Sequence, residues 1–295
     1  MLSLFYRSMV FLSRIVGPWL FDLVAKGIAA GYFLFSPRRV AVSVQFYEAL
    51  FPQRGRAHHI RCTWRQYQNF TSVYLDRLLL NEDGRITCTH SGWENLETAI
   101  DRNTGGIILM SHLGNWEIAA HLMQRRQERL RLILFMGMRA KAEIERLQKE
   151  DLHRKGIRIH AVAKDSGAPF DLLEGLRFIQ SGGLISMTGD KIWHSGQRAV
   201  PVSFLGHEVY LPETPHVLAM LSGVPLFIFF SRRTGSRRYH LTVSEPIYVA
   251  KARRRERTDA VRRSAQNYAG LLEKNLYENP LEWYHFERFL GPRLK

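Results

Sequence analysis

At 295 residues, 45% of them hydrophobic, the chain is long enough to bury the core of one main domain, and no repeat or low-complexity stretch marks it as solenoidal or disordered. Lys and Arg number 42 against 27 Asp and Glu, a formal charge of +15 that attracts an acidic partner, yet no zinc-finger, RNP or GXXG signal accompanies it and nucleic acid is not expected. Cys62 and Cys88 lack motif spacing, which excludes a disulfide framework, and without H-x3-H or C-x2-C pairing no metal or other cofactor is expected.

The first 35 residues are rich in Leu, Phe, Tyr, Trp and Val but are interrupted by Arg7, Arg14, Asp22 and Lys26, with Pro18 in the middle. A spanning helix needs about 20 mostly apolar residues, and the longest uncharged run, Gly27 to Pro37, is shorter. The pattern predicts amphipathic interfacial helices in which Arg and Lys snorkel while Trp19, Phe21, Tyr32, Phe33 and Phe35 face acyl chains. A tilted single span and an ordinary core helix pair are the alternatives. Arg38 and Arg39 would keep the main domain on the cytoplasmic side. No small-residue cleavage site follows a clean apolar core, so a removed signal peptide is not expected. Residues 1–40 are assigned to a membrane-associating helical segment and 41–295 to the main domain.

The rest of the first hundred residues reads as mainly helical, with Asp83-Gly84-Arg85 turning into a short extra strand at Ile86-Thr87-Cys88. Strands are predicted near Gly106–Met110, Arg131–Phe135, Arg158–Val162, Leu184–Thr188, Val200–Ser203, Leu226–Phe230 and Tyr239–Ser244. Helices are predicted over Ala140–Lys155, Pro169–Gln180, Pro215–Leu221 and Arg255–Leu276, the first of them largely exposed and the last basic. Gly223-Val224-Pro225 breaks the apolar stretch Val217–Ser231 into a helix and a strand. This alternation predicts an α/β fold with a mixed, mostly parallel central sheet flanked by helices. Its carboxyl edge would carry the site.

The chemistry concentrates in Ser111-His112-Leu113-Gly114-Asn115-Trp116-Glu117, directly after the strand-like run Gly105–Met110. A histidine at the carboxyl end of a buried strand can face a cleft while a carboxylate five residues on reaches back to its ring, the arrangement of an oriented general base. Glu117 would fix the tautomer of His112 and stabilise its imidazolium. The plainer alternative is a helix N-terminus with Ser111 or Asn115 as cap and Glu117 as a first-turn carboxylate. His207 and Glu208 are set aside as a second pair, because neighbours on an extended segment point to opposite sides.

His112 and Glu117 in His-Leu-Gly-Asn-Trp-Glu resemble the H-x4-D/E motif of the lysophospholipid acyltransferase superfamily, in the branch of the late (lauroyl/myristoyl) acyltransferases of lipid A biosynthesis. Arg65–Phe70 through Asp76-Arg77-Leu78-Leu79 is similar to the segment before that branch's catalytic strand. Val200–Gly206 resembles its V-P-F-F-G block, and Pro280-Leu281-Glu282-Trp283-Tyr284-His285 its P-E-Q-Y-x-W-x-H ending. The resemblance spans Ala41 to Arg288.

It implies an O-acyltransferase that moves a fatty acyl chain from acyl carrier protein or coenzyme A to a hydroxyl of a lipid A precursor-like membrane lipid, at the cytoplasmic face of a bacterial inner membrane. His112 would be the base and Glu117 its partner. Arg139 occupies the place of the family's arginine after the second core strand, although the chain continues there as a helix start rather than with proline and asparagine. Asp190, at the end of Ser186–Asp190, matches the family's strand-end aspartate and would orient Arg139 or Lys191. Backbone N–H groups around Gly114 and Asn115 would receive the oxyanion. The block from Gly206 to Pro215 would lie over the acyl cleft, with Thr214 capping the next helix, and Lys191 and Thr214 would join substrate binding. The basic clusters Arg232-Arg233, Arg237-Arg238 and Lys251–Arg263 fit an acidic carrier protein or an anionic membrane surface, each residue near a leaflet contributing about 1 kcal/mol. Alternatives are another acceptor (an ornithine-type lipid, another glycolipid, a pigment hydroxyl or an amine), a thioester hydrolase, or a catalytically silent basic membrane- or nucleic-acid-binding protein.

Overall fold

Strand β2 (Gly106–Met110) is buried at every position, as a run of Gly-Ile-Ile-Leu-Met with no polar side chain requires. Ile107 and Leu109 enter one hydrophobic core and Ile108 and Met110 another, the alternation of a strand covered on both faces. The computed structural model describes residues 2–82, 86–126, 130–137, 158–162, 169–193, 196–253 and 255–294. The turn at Asp83-Gly84-Arg85, the helix expected over Ala140–Lys155 and Arg139 lie outside them.

Four helices come first: α1 (Leu2–Val16), α2 (Pro18–Phe35), α3 (Pro37–Leu50) and α4 (Arg56–Glu82). Next come β1 (Thr87–Ser91), α5 (Trp93–Asp101), β2, α6 (Trp116–Arg126), β3 (Leu132–Gly137), β4 (Arg158–Val162), α7 (Pro169–Gln180) and β5 (Leu184–Thr188). A hairpin of β6 (Ala199–Phe204) and β7 (His207–Pro212) leads to α8 (Thr214–Ser222), β8 (Leu226–Gly235), β9 (Arg238–Val243) and α9 (Arg257–Glu278). The main sheet has seven strands in the order β1-β9-β8-β2-β5-β3-β4, all pairs parallel except β8 with β9. The α/β expectation holds, with a mixed, mostly parallel sheet between helices.

The segment after Phe204, which is not among the predicted strands, is strand β7, paired antiparallel with β6. Leu205 and Gly206 both have positive φ, 50° and 74°, which a two-residue hairpin turn of this hand requires. Gln266 of α9 clips the outer backbone of the hairpin, Ser203 N–H to Oε1 at 2.8 Å and Nε2 to Ser203 O at 2.9 Å.

Helix α4 crosses from one core to the other, giving Cys62 to the first and Leu80 to the second. Helices α1 and α2 rest on it through Met9, Phe21 and Leu78, and Phe33 packs edge-on against Trp64 and Tyr67 at 5.2 and 5.8 Å. Phe21 and Phe33 therefore face inward, contrary to expectation, while Trp19, Tyr32 and Phe35 are exposed together with Phe11, Ile15, Leu23 and Leu34. The charges of α2 answer each other, Lys26 Nζ lying 2.7 Å from Asp22 one turn away. With that pair, α2 is the one helix among the described residues long and apolar enough to cross a membrane.

The basic run at Lys251–Arg263 starts at the opposite edge of the sheet. Leu226 and Ile247 bridge at the beginning of β8 through N–H···O bonds of 2.8 and 2.9 Å. Tyr268, about 16 Å further along α9 than Arg257, is the residue that reaches the carboxyl end of β2, its hydroxyl donating to Met110 O at 3.2 Å.

Candidate active site

Two strand ends make the site. In the parallel pair β2–β5, Met110 is in register with Thr188. Two residues beyond each lie His112 and Asp190, so the ladder brings both to the same height at the carboxyl edge. Asp190 Oδ1 accepts from His112 Nδ1 at 2.8 Å, Oδ2 accepts the His112 backbone N–H at 2.7 Å, and Oδ2 also receives the Trp283 indole N–H at 2.9 Å. Gly189 lets the turn sit this close: an added Cβ would fall 2.6 Å from the Tyr268 ring and 2.9 Å from Leu109.

Asp190 is almost wholly buried. Burial pushes its carboxyl up, but the His112 ring and the hydrogen bonds from His112 outweigh it and hold the group at about 2. It is therefore a fixed anion at neutral pH. Because an ionised carboxylate only accepts, Nδ1 of His112 carries the proton of that bond. Nε2 has no hydrogen-bond partner among the described residues. The side chain is 23% exposed, enough to meet a substrate.

Glu117 is placed elsewhere, and the expected pairing with His112 is corrected here. Its carboxylate is clamped by Arg77 of α4, Nε to Oε1 at 2.6 Å and Nη2 to Oε2, with both side chains buried. The cause lies in the first turn of α6. Asn115 caps that helix through Oδ1 to the N–H groups of Glu117 and Ile118, both at 3.2 Å, which rotates Glu117 away from the loop carrying His112 and toward α4.

Gly114 and Asn115 are corrected as oxyanion donors. The Gly114 N–H donates to Glu282 O at 2.9 Å and the Asn115 N–H to Ser231 O at 3.1 Å, so both are already spent. Gly114 is required for packing: at φ 77° an added Cβ would lie 1.6 Å from Ser231 O. Thr214 opens α8, yet the cap position belongs to Glu213, which makes no side-chain cap bond and pairs with Arg198 at 3.3 Å. Lys191 does reach the site's rim, 3.1 Å from Glu287 and 4.9 Å over the Trp193 ring, and Trp193 in turn lies 6.4 Å from the His112 ring. Asp190 serves His112 rather than Lys191.

The carboxy-terminal segment completes the constellation. Tyr284 N–H donates to His112 O at 2.8 Å, Leu113 bridges Trp283, and His285 stands edge-on to His112 with ring centroids 5.5 Å apart. Tyr47 anchors the segment from α3 through Pro280 O at 2.9 Å, and Gln66 from α4 through Trp283 O.

A model of the family described as bacterial lipid A biosynthesis acyltransferase matches residues 8–291. The chain belongs to that family. It is an acyltransferase, and its His112–Asp190 pair stands at the carboxyl edge of the sheet. No curated protein matches the chain significantly in sequence. Sequence reasoning missed Trp283, His285 and Trp193 as neighbours of His112, and Arg77 as the partner of Glu117. One signal for the last was available: Asp76-Arg77 stands before Leu78-Leu79-Leu80 on a helix, and charges on such a face need buried partners. Asp76 has them in Arg233 Nε at 2.7 Å and the Tyr239 hydroxyl at 2.5 Å. Arg233 is thereby removed from the expected basic surface.

Two buried rings give this acyltransferase a pH signature. Burial, reinforced for His285 by His112 and Lys191 and opposed by Asp190 and Glu287, lowers His216 and His285 to about 4 each. His216 faces Ser264, its Nδ1 2.8 Å from Oγ. Unfolded histidine titrates near 6.5, so between pH 6.5 and 4 the unfolded chain binds more protons and stability falls as pH falls. Each ring is expected to cost about 2 kcal/mol between pH 7 and pH 5. Urea unfolding midpoints at the two pH values check this, and equal midpoints would count against neutral buried rings.

Proposed function

We propose that the protein transfers a fatty acyl chain from an acyl thioester, on acyl carrier protein or coenzyme A, to a hydroxyl of a lipid A precursor-like glycolipid, with His112 as general base and Asp190 as the residue that orients it. The observation that carries this reading is the His112 Nδ1–Asp190 bond at 2.8 Å with Nε2 unpartnered among the described residues. The acceptor hydroxyl gives its proton to Nε2 while its oxygen bonds to the thioester carbonyl carbon. The tetrahedral oxyanion then collapses, the C–S bond breaks, and the departing thiolate takes the proton back from His112. Asp190 stays ionised throughout and balances the transient imidazolium.

The oxyanion needs a donor other than the Gly114 and Asn115 amides. Lys191 is the nearby cation on the described rim, and Arg139 holds the place the family's pattern gives to an arginine. In this reading Glu117 anchors α6 to α4 and acts on catalysis only through the position of the loop. The exposed apolar residues of α1 and α2 set the enzyme against the cytoplasmic face of the inner membrane. They belong to the layer resting on α4, and α4 also holds the Trp283 backbone through Gln66. The Lys251–Arg263 run starts at the far edge of the sheet, which suits a soluble acidic partner better than the same leaflet.

His112→Ala is expected to abolish transfer, with a loss of about 10³-fold or more, while leaving vesicle binding unchanged. The check is incubation with labelled acyl carrier protein and a total lipid extract, followed by mass spectrometry of the labelled product. Transfer that persists in the variant would sink His112 as the base, and labelled free fatty acid without acylated lipid would point to a hydrolase.

A further inference from the structure

His285 brings a second imidazole to the rim beside His112, and its chemistry differs from that of its neighbour. Its Nδ1 lies 3.2 Å from Glu287 O. A carbonyl oxygen only accepts, so Nδ1 carries the hydrogen and Nε2 bears a lone pair. The ring stacks on Trp283 at 5.1 Å and 21°, and Phe289 meets its edge at 5.1 Å. Fixed on these sides, it has little freedom to flip. Nε2 has no hydrogen-bond partner among the described residues, and the residue keeps 9% of its surface exposed.

We propose that His285 is a specificity-determining residue, whose Nε2 accepts a hydrogen bond from a second donor group on the acceptor lipid, next to the hydroxyl that meets His112 Nε2. The proposal rests on the acyl-transfer reading above. Asp190 supports a proton on His112 and equips it to be a base. His285 lacks such a carboxylate partner, lies in an apolar stack and remains neutral down to about pH 4, so at working pH it accepts a hydrogen bond without removing the proton. Rings 5.5 Å apart at 85° suit two donors on neighbouring atoms, such as a vicinal diol or a hydroxyl beside an amide N–H. An acceptor with a lone hydroxyl leaves Nε2 of His285 desolvated and unpaired, a cost that separates the two substrate classes by about ten- to a hundredfold.

The test compares two acceptors, vicinal hexadecanediol and hexadecanol, in mixed micelles with a labelled acyl thioester. Wild-type enzyme is expected to prefer the diol at least tenfold in kcat/KM, mostly through KM. In His285→Phe, which keeps the aromatic stack and loses the acceptor nitrogen, the ratio is expected to fall to about one. In His285→Asn, which retains an acceptor oxygen, part of the preference should return. Thermal unfolding of both variants reports whether they fold. A wild-type ratio near one overturns the proposal whether or not the variants fold, as does a preference undiminished in a folded His285→Phe. A wild-type enzyme that acylates neither alcohol also overturns it. Acylation of a total lipid extract by the same preparation distinguishes that result from failure of the acyl-transfer reading itself.

Discussion

Asp190→Asn is expected to lower kcat by about 10²–10⁴-fold with little change in KM. Asp190 now accepts two N–H groups of His112 and one of Trp283. An amide there offers one oxygen and one NH2, so at least one of those three donors must face another donor. Where the NH2 meets Nδ1, the His112 ring turns to the other tautomer, and Nε2 carries a hydrogen instead of the lone pair that takes the hydroxyl proton. The charge that balances the imidazolium is lost as well. Binding of acyl donor and lipid uses neither feature, which places the loss in kcat. Steady-state kinetics with saturating donor checks it. A variant that keeps kcat within a factor of three would remove Asp190 from the mechanism.

Glu117→Ala is expected to destabilise the fold by about 3–5 kcal/mol, because it leaves the Arg77 guanidinium buried without its bidentate partner. Arg77→Ala should cost a similar amount by stranding the carboxylate. The double replacement Arg77→Met with Glu117→Leu removes both charges and fills the space with apolar atoms, so it should recover most of the loss. Urea unfolding in detergent measures all three. The informative outcome is the contrast with Asp190→Asn, whose fold should hold while its turnover collapses. A Glu117→Ala protein of unchanged stability and abolished turnover would restore the partnership with His112 that the H-x4-E spacing implied.

Three of the predicted strands, Gly106–Met110, Arg158–Val162 and Leu184–Thr188, and the helix Pro169–Gln180 match the structure residue for residue. Each is bounded by its own turn residues and carries a pattern complete within a short window. The hairpin strand β7 is not among the predicted strands, because His207-Glu208-Val209-Tyr210 carries only a weak strand pattern until β6 is beside it. Phe21 and Phe33 were turned outward for a related reason: an aromatic on an apolar helix fits a bilayer and a neighbouring helix equally well.

The α/β class, the histidine at a strand end and the acyltransferase family were all legible in linear order, since strand period, turn residues and motif spacing are local properties of the chain. Which carboxylate serves His112 was not. Glu117 is five residues away in sequence and Asp190 is 78, yet the register of β2 on β5 makes the distant one the neighbour, while an asparagine cap turns the near one toward Arg77. The same holds for His285, brought to the rim when the carboxy-terminal segment hydrogen-bonds to the His112 loop. Register and docking depend on which surfaces pack together over the whole molecule, and no short window of sequence carries that information.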